Sequence, residues 1–141
     1  MRGGYLHNEA IGERLRGALA ALGAPHSIEY PVGPGRRAGA VDIYVELGGV
    51  RVACEIELGP GRIHQDLRKA SALGADLLLI VAPTAQVARA IRRRLVTIRP
   101  RRPRVQVRLL ASAIRYLSNL SASECPRDTK TETQGTQKSR S

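Results

Sequence analysis

Apolar and polar residues alternate most cleanly between Ala40 and Leu58. Val41 to Leu47 and Val50 to Leu58 each carry an apolar side chain at every second position, the period of a strand. Gly48-Gly49 between them suits a two-residue hairpin turn. That turn predicts a register in which Leu47 opposes Val50, Glu46 opposes Arg51, Tyr44 opposes Ala53 and Asp42 opposes Glu55. One face then carries Val41, Ile43, Val45, Leu47, Val50, Val52, Cys54, Ile56 and Leu58. The other carries Asp42, Tyr44, Glu46, Arg51, Ala53, Glu55 and Glu57. An ordinary ion pair is expected between Glu46 and Arg51.

The rest of the chain reads in shorter segments. His7 to Leu22 has helical periodicity, with Ile11, Leu15, Ala18, Leu19 and Leu22 on one side, and Gly23 and Pro25 end it. His26 to Tyr30 is a short strand, and Pro31 to Gly39 is a turn-rich loop. After Gly59-Pro60-Gly61, Arg62 to Leu73 reads as a helix closed by Gly74. Asp76 to Ala82 is a continuous apolar strand of the kind covered on both faces. A helix follows from Pro83-Thr84 to about Leu95, with Thr84 as its cap. Arg104 to Leu110 is a last strand and Ala111 to Leu120 a last helix. The expected class is α/β: a mixed central sheet flanked by helices, in one domain over residues 1–120. Residues 121–141 are polar and aperiodic, and read as a disordered tail.

Composition narrows this little. The 141 residues include no Trp or Phe and four Tyr, so the core is built from Leu, Val, Ile and Ala. No apolar run approaches the ~18 residues of a membrane span, and no signal-peptide core opens the chain. Cys54 and Cys125 lie far apart, with neither a disulfide nor a zinc spacing. A cytoplasmic protein with reduced thiols is the expectation.

The charge is informative once divided. The chain carries a formal +11, yet residues 1–76 hold nine basic and nine acidic side chains. Residues 77–123 hold ten Arg and no acid. A basic block of this kind suits a polyanion, of which nucleic acid is the commonest. An Arg-rich proteome explains Arg over Lys but not the missing acids.

The hairpin also carries the candidate chemistry. Opposed Cβ atoms lie roughly 4.5–5.5 Å apart, so Asp42 against Glu55 is a repulsive pair. Glu57 adds a third carboxylate one pleat along. A hard divalent cation, Mg²⁺ or Mn²⁺, is the economical counterion, since Mg²⁺ binds through one or two carboxylates and keeps several waters. A solvent-facing polar sheet surface is the alternative.

Val41-Asp42-Ile43-Tyr44 and Cys54-Glu55-Ile56-Glu57, in this order and spacing, resemble the PD-(D/E)xK nuclease superfamily of restriction enzymes and archaeal Holliday-junction resolvases. The resemblance covers residues 7–82 and implies a restriction-endonuclease-like αβββαβ core, with an added α-β-α extension. It implies Mg²⁺-dependent DNA endonuclease activity, with Asp42 and Glu55 holding the metal, joined by the Ile56 carbonyl, and Glu9 as an extra ligand. Glu57 stands where the motif has Lys. By the same resemblance Lys69 on the next helix, the only lysine before the tail, would be a relocated equivalent that stabilises the transition state. Gln65, four residues earlier, would orient water or phosphate, and His64 is a further candidate. Arg92, Arg93, Arg94, Arg101 and Arg102 would hold the DNA backbone, with Arg36 and Arg37 nearer the metal. A homodimer is expected by the same resemblance. Two other readings stay open at this point: a catalytically inactive DNA-binding module of the same fold, and a basic protein-interaction domain.

Overall fold

The computed structural model describes residues 2–35 and 38–123. The elements follow as α1 (Arg2–Ala21), β1 (His26–Pro31), β2 (Ala40–Leu47), β3 (Val50–Ile56), a 3-10 turn (Pro60–Arg62), α2 (Ile63–Ala72), β4 (Leu77–Ala82), α3 (Ala85–Ile98) and β5 (Arg104–Leu109). A last helix, α4, spans 110–123. The expected tail therefore starts no earlier than 124, and residues 124–141, with Cys125, lie outside the described residues. No helix among the described residues is long and apolar enough to cross a membrane.

The five strands form one sheet in the order β1-β2-β3-β4-β5. β1, β2 and β3 run antiparallel, while β3, β4 and β5 are mutually parallel. The hairpin register is the one expected, from Leu47 opposite Val50 to Ile43 opposite Cys54. Gly48 (φ +56) and Gly49 (φ +77) are both left-handed, as a turn matched to the twist of its strands requires.

Helices cover both faces. Ile11, Leu15 and Leu19 of α1 pack with Ala113 and Leu117 of α4 against Val45, Leu47, Val52, Cys54, Leu79 and Val81. On the other side Ile63 and Ala70 of α2 join Ala88 and Ile91 of α3 over Ala53, Leu78, Ile80 and Val107. β4 is buried along its whole length, as a strand between two helical layers must be. Thr84 caps α3 by accepting a hydrogen bond from the Val87 N–H at 3.2 Å. Thr84→Ala is expected to cost about 1 kcal/mol in urea unfolding, the usual value of such a cap.

Three expectations about the hairpin change. Val41 packs with the α2 and α3 layer, not with Ile43, and Tyr30 opposite it does the same. Side-chain alternation thus reverses between the Ile28–Ile43 and Tyr30–Val41 pairs, around Glu29 and Asp42. Glu29 holds a left-handed backbone (φ +44) that a non-glycine residue adopts only under strain. Leu58 is exposed rather than part of the apolar face. Arg51 turns away from Glu46 to Asp76, bonding it through its backbone N–H at 2.9 Å and its guanidinium at 3.3 Å.

Candidate carboxylate–lysine site

The backbone ladder between β2 and β3 stops at Ile43 and Cys54. Past that point the carboxylates take over the freed donors. The Asp42 N–H donates to Glu55 Oε1 at 3.3 Å, and the Ile56 N–H donates to Asp42 Oδ2 at 2.8 Å. Asp42 and Glu55 are thus brought together where the strands part, as the register implied. Glu57 follows β3, and its N–H continues the parallel ladder to the Val81 carbonyl at 3.1 Å.

The face that carries these acids is not open to solvent. α2 lies across it, so Glu55 is 2% exposed, Glu57 7%, Asp66 0% and Lys69 8%. Lys69 Nζ sits 2.8 Å from Glu55 Oε2, donates to the Ala40 carbonyl at 2.8 Å, and lies 3.9 Å from Asp66 Oδ1. The neutralising charge inferred from sequence is therefore supplied in part by the protein itself. Gly39 makes room for it: with φ +82 it suits glycine, and a Cβ there would come within 3.2 Å of Lys69 Cδ.

An open cavity leads to the group, lined among others by Asn8, Ala40, Asp42, Glu55, Glu57, Arg62 and Lys69. A second cavity adjoins it through Asn8, Asp42 and Ile56 and is bordered by Glu9, Arg16 and Glu29. Glu9 therefore approaches Asp42 from the α1 side and is exposed, apart from the Glu55–Lys69 pair. Gln65 is exposed and borders neither cavity, and His64 is exposed too. Besides Lys69, the residue of α2 that faces the acids is Asp66, whose carboxylate lies with those of Glu55 and Glu57 inside a 4.8 Å cluster. Sequence reasoning passed over Asp66, Asn8, Arg16 and Arg62. The signal for Asp66 was present: it falls in the buried stripe Ile63, Asp66, Ala70, three residues before Lys69.

Burial shapes the electrostatics. The Glu55 carboxyl is pushed up to about 7, first by desolvation; Lys69 pulls it down and Asp42 pushes it up. Asp66 is held far above the ordinary carboxylate range, again by desolvation first, then by Glu57 and Glu55. Burial also raises the Cys54 thiol to about 12, which leaves it unreactive. Because Glu55 and Asp66 bind protons more tightly folded than unfolded, stability falls as pH rises from about 4.5 through 7. Without divalent cations the melting temperature is expected to be roughly 5 °C higher at pH 5 than at pH 8. A calorimetric scan at the two pH values checks this, and a reversed order would contradict it.

The basic block is dispersed. Arg36 and Arg37 lie outside the described residues. Arg101 and Arg102 border a cavity with Arg51, Asp76 and Arg104. Arg104 pairs with Leu77, whereas Ile56 beside the acids pairs with Val81. The four intervening steps put these arginines about 13 Å further along the sheet. Arg93 and Arg94 are exposed on α3, and Arg92 donates from Nη2 to the Val107 carbonyl at 2.6 Å. Among the described residues none of these arginines lines the carboxylate cavity, whereas Arg62 and, from the adjoining cavity, Arg16 lie beside it.

The donor set suits a hard cation: the cluster joins carboxylate oxygens of Glu55 on β3, Glu57 just after it and Asp66 on α2, without Asp42, and the Asn8 Oδ1 atom on α1 is buried and without a hydrogen-bond donor. Comparison of the chain with protein-family models, with curated proteins and with solved structures gives no match.

Proposed function

We propose that this chain is a Mg²⁺- or Mn²⁺-dependent DNA endonuclease with a restriction-endonuclease-like core. The carrying observation is the Asp42–Glu55–Lys69 group, in which Lys69 Nζ reaches Glu55 from α2 at 2.8 Å. A lysine arriving from the helix answers the departure at Glu57, where the family motif has its Lys. The order α1, β1, β2, β3, α2, β4 supports the core reading, and α3, β5 and α4 are the extension.

In this reading Asp42 and Glu55 hold the metal through carboxylate oxygens. The ion supplies Lewis-acid stabilisation of the phosphodiester and lowers the pKa of a bound water. Lys69, fixed by the Ala40 carbonyl, contributes a positioned positive charge where phosphate charge develops. Asp42, tied to the Ile56 N–H, is held from rotating away. Arg62 and Arg16 flank the site and bind backbone phosphates, which position a strand without reading its sequence. The remoter arginines add salt-dependent affinity for DNA, and a homodimer belongs to the same reading.

A plasmid-nicking assay with and without Mg²⁺ or Mn²⁺ tests this. Divalent-dependent nicking is expected, together with DNA binding that weakens with salt. A second reading, a DNA-binding module without cleavage, is favoured by the burial of Glu57 at the lysine position. Salt-sensitive binding with no nicking under either metal would establish it instead.

A further inference from the structure

We propose that Glu55, Glu57 and Asp66 form a second divalent-cation site, on the α2 side of Glu55. It deepens the nuclease reading, from which it takes only the first ion at Asp42 and Glu55.

The position of Asp66 carries the inference. It occupies the stripe of α2 that otherwise buries Ile63 and Ala70, where an apolar residue would pack at no electrostatic cost. Its side chain is fully buried, and neither Oδ1 nor Oδ2 has a hydrogen-bond donor. An ionised carboxylate left in that state would be strongly unfavourable. The nearest cation, Lys69 Nζ, is 3.9 Å from Oδ1 and is already committed at 2.8 Å to both Glu55 and Ala40. Lys69 therefore does not satisfy Asp66.

The geometry of the three acids suits an ion. One oxygen from each of Glu55, Glu57 and Asp66 lies within 4.8 Å of the others. Oxygens inside that limit can be drawn around one ion by rotation of their side chains. The Glu57 carboxylate borders the open cavity, so an ion has a route in. With Asp42 on its other side, Glu55 serves both sites. An ion held there would add positive charge next to the first site through the shared Glu55.

Counting bound Mn²⁺ by the electron-spin-resonance signal of the free ion tests the proposal on the full chain at pH 8. The wild type is expected to bind two equivalents, Asp66→Asn one, Asp42→Asn one, and the double variant none. Asn is isosteric with Asp, and far-UV circular dichroism checks that Asp66→Asn folds. Should it not fold, Glu57→Gln is expected to give the same single equivalent. A wild type that binds one ion, or an Asp66→Asn or Glu57→Gln protein that still binds two, overturns the second site. Neither result touches the first, whose failure shows separately as nicking that survives Asp42→Asn.

Discussion

Replacing Lys69 with methionine is expected to cost about 3–5 kcal/mol of folding stability at pH 8, the range for removing one partner of a buried ion pair. Methionine preserves much of the stem that packs beneath Gly39, so the change is chiefly one of charge. It leaves Glu55 and Asp66 buried with no ammonium nearby and frees the Ala40 carbonyl of its donor. The cost must depend on pH. Both carboxyls are already displaced upward by burial, and loss of Lys69 removes an influence that lowers each of them. At pH 5 both carry protons in the folded chain, so removing the ammonium strands less charge and the penalty shrinks. Urea unfolding of both proteins at pH 5 and pH 8 measures it. An equal loss at the two values would mean that Lys69 acts through the packing of its stem, not through its charge.

The second large effect concerns cleavage. Asp42→Asn and Glu55→Gln are each expected to lower divalent-dependent nicking on the order of 10³-fold, the scale of losing a main electrostatic contributor to phosphoryl chemistry. The amide introduced by Asp42→Asn keeps an oxygen for the Ile56 N–H, and that of Glu55→Gln keeps one for the Asp42 N–H. The Asp42→Asn strand ends therefore hold their geometry, whereas Glu55→Gln also breaks the buried pair with Lys69, so its loss is read against its own melting curve. Nicking rates at saturating Mn²⁺, with melting curves beside them, make the measurement. Undiminished nicking in both variants would remove the nuclease reading altogether.

Much of the frame is legible before any coordinates. Gly48-Gly49 leaves a hairpin one short turn to make, and the turn determines which residues face each other. Thr84 before an amphipathic run declares a helix start, and Asp76 to Ala82 reads as a strand covered on both sides. Local pattern does not say which helix covers which face. Gln65 and Asp66 differ by about 100° around α2, so choosing between them depends on how the helix sits on the sheet. The reversal of alternation at Glu29 and Asp42 is likewise a tertiary matter, since nothing in the side chain of Glu29 announces a left-handed backbone.

The arginines teach a related lesson. Contiguity in sequence suggests one basic surface. Because β5 runs parallel to β4, the residues just before β5 are carried to the end of the sheet remote from Glu55. Direction of strand travel, not spacing, separates Arg101 and Arg102 from the carboxylates. Among the described residues, Arg16 and Arg62 flank them, and both belong to the charge-balanced half of the chain, where no excess of basic residues marks them out.

Arg92 has a different consequence. β5 is the last strand of the sheet, and an unaccompanied strand invites another chain to extend it. The Arg92 guanidinium already occupies the Val107 carbonyl, an acceptor that such a newcomer would need. Extension at this border would first have to break a charge-assisted bond. One arginine on α3 thus guards this border of the sheet.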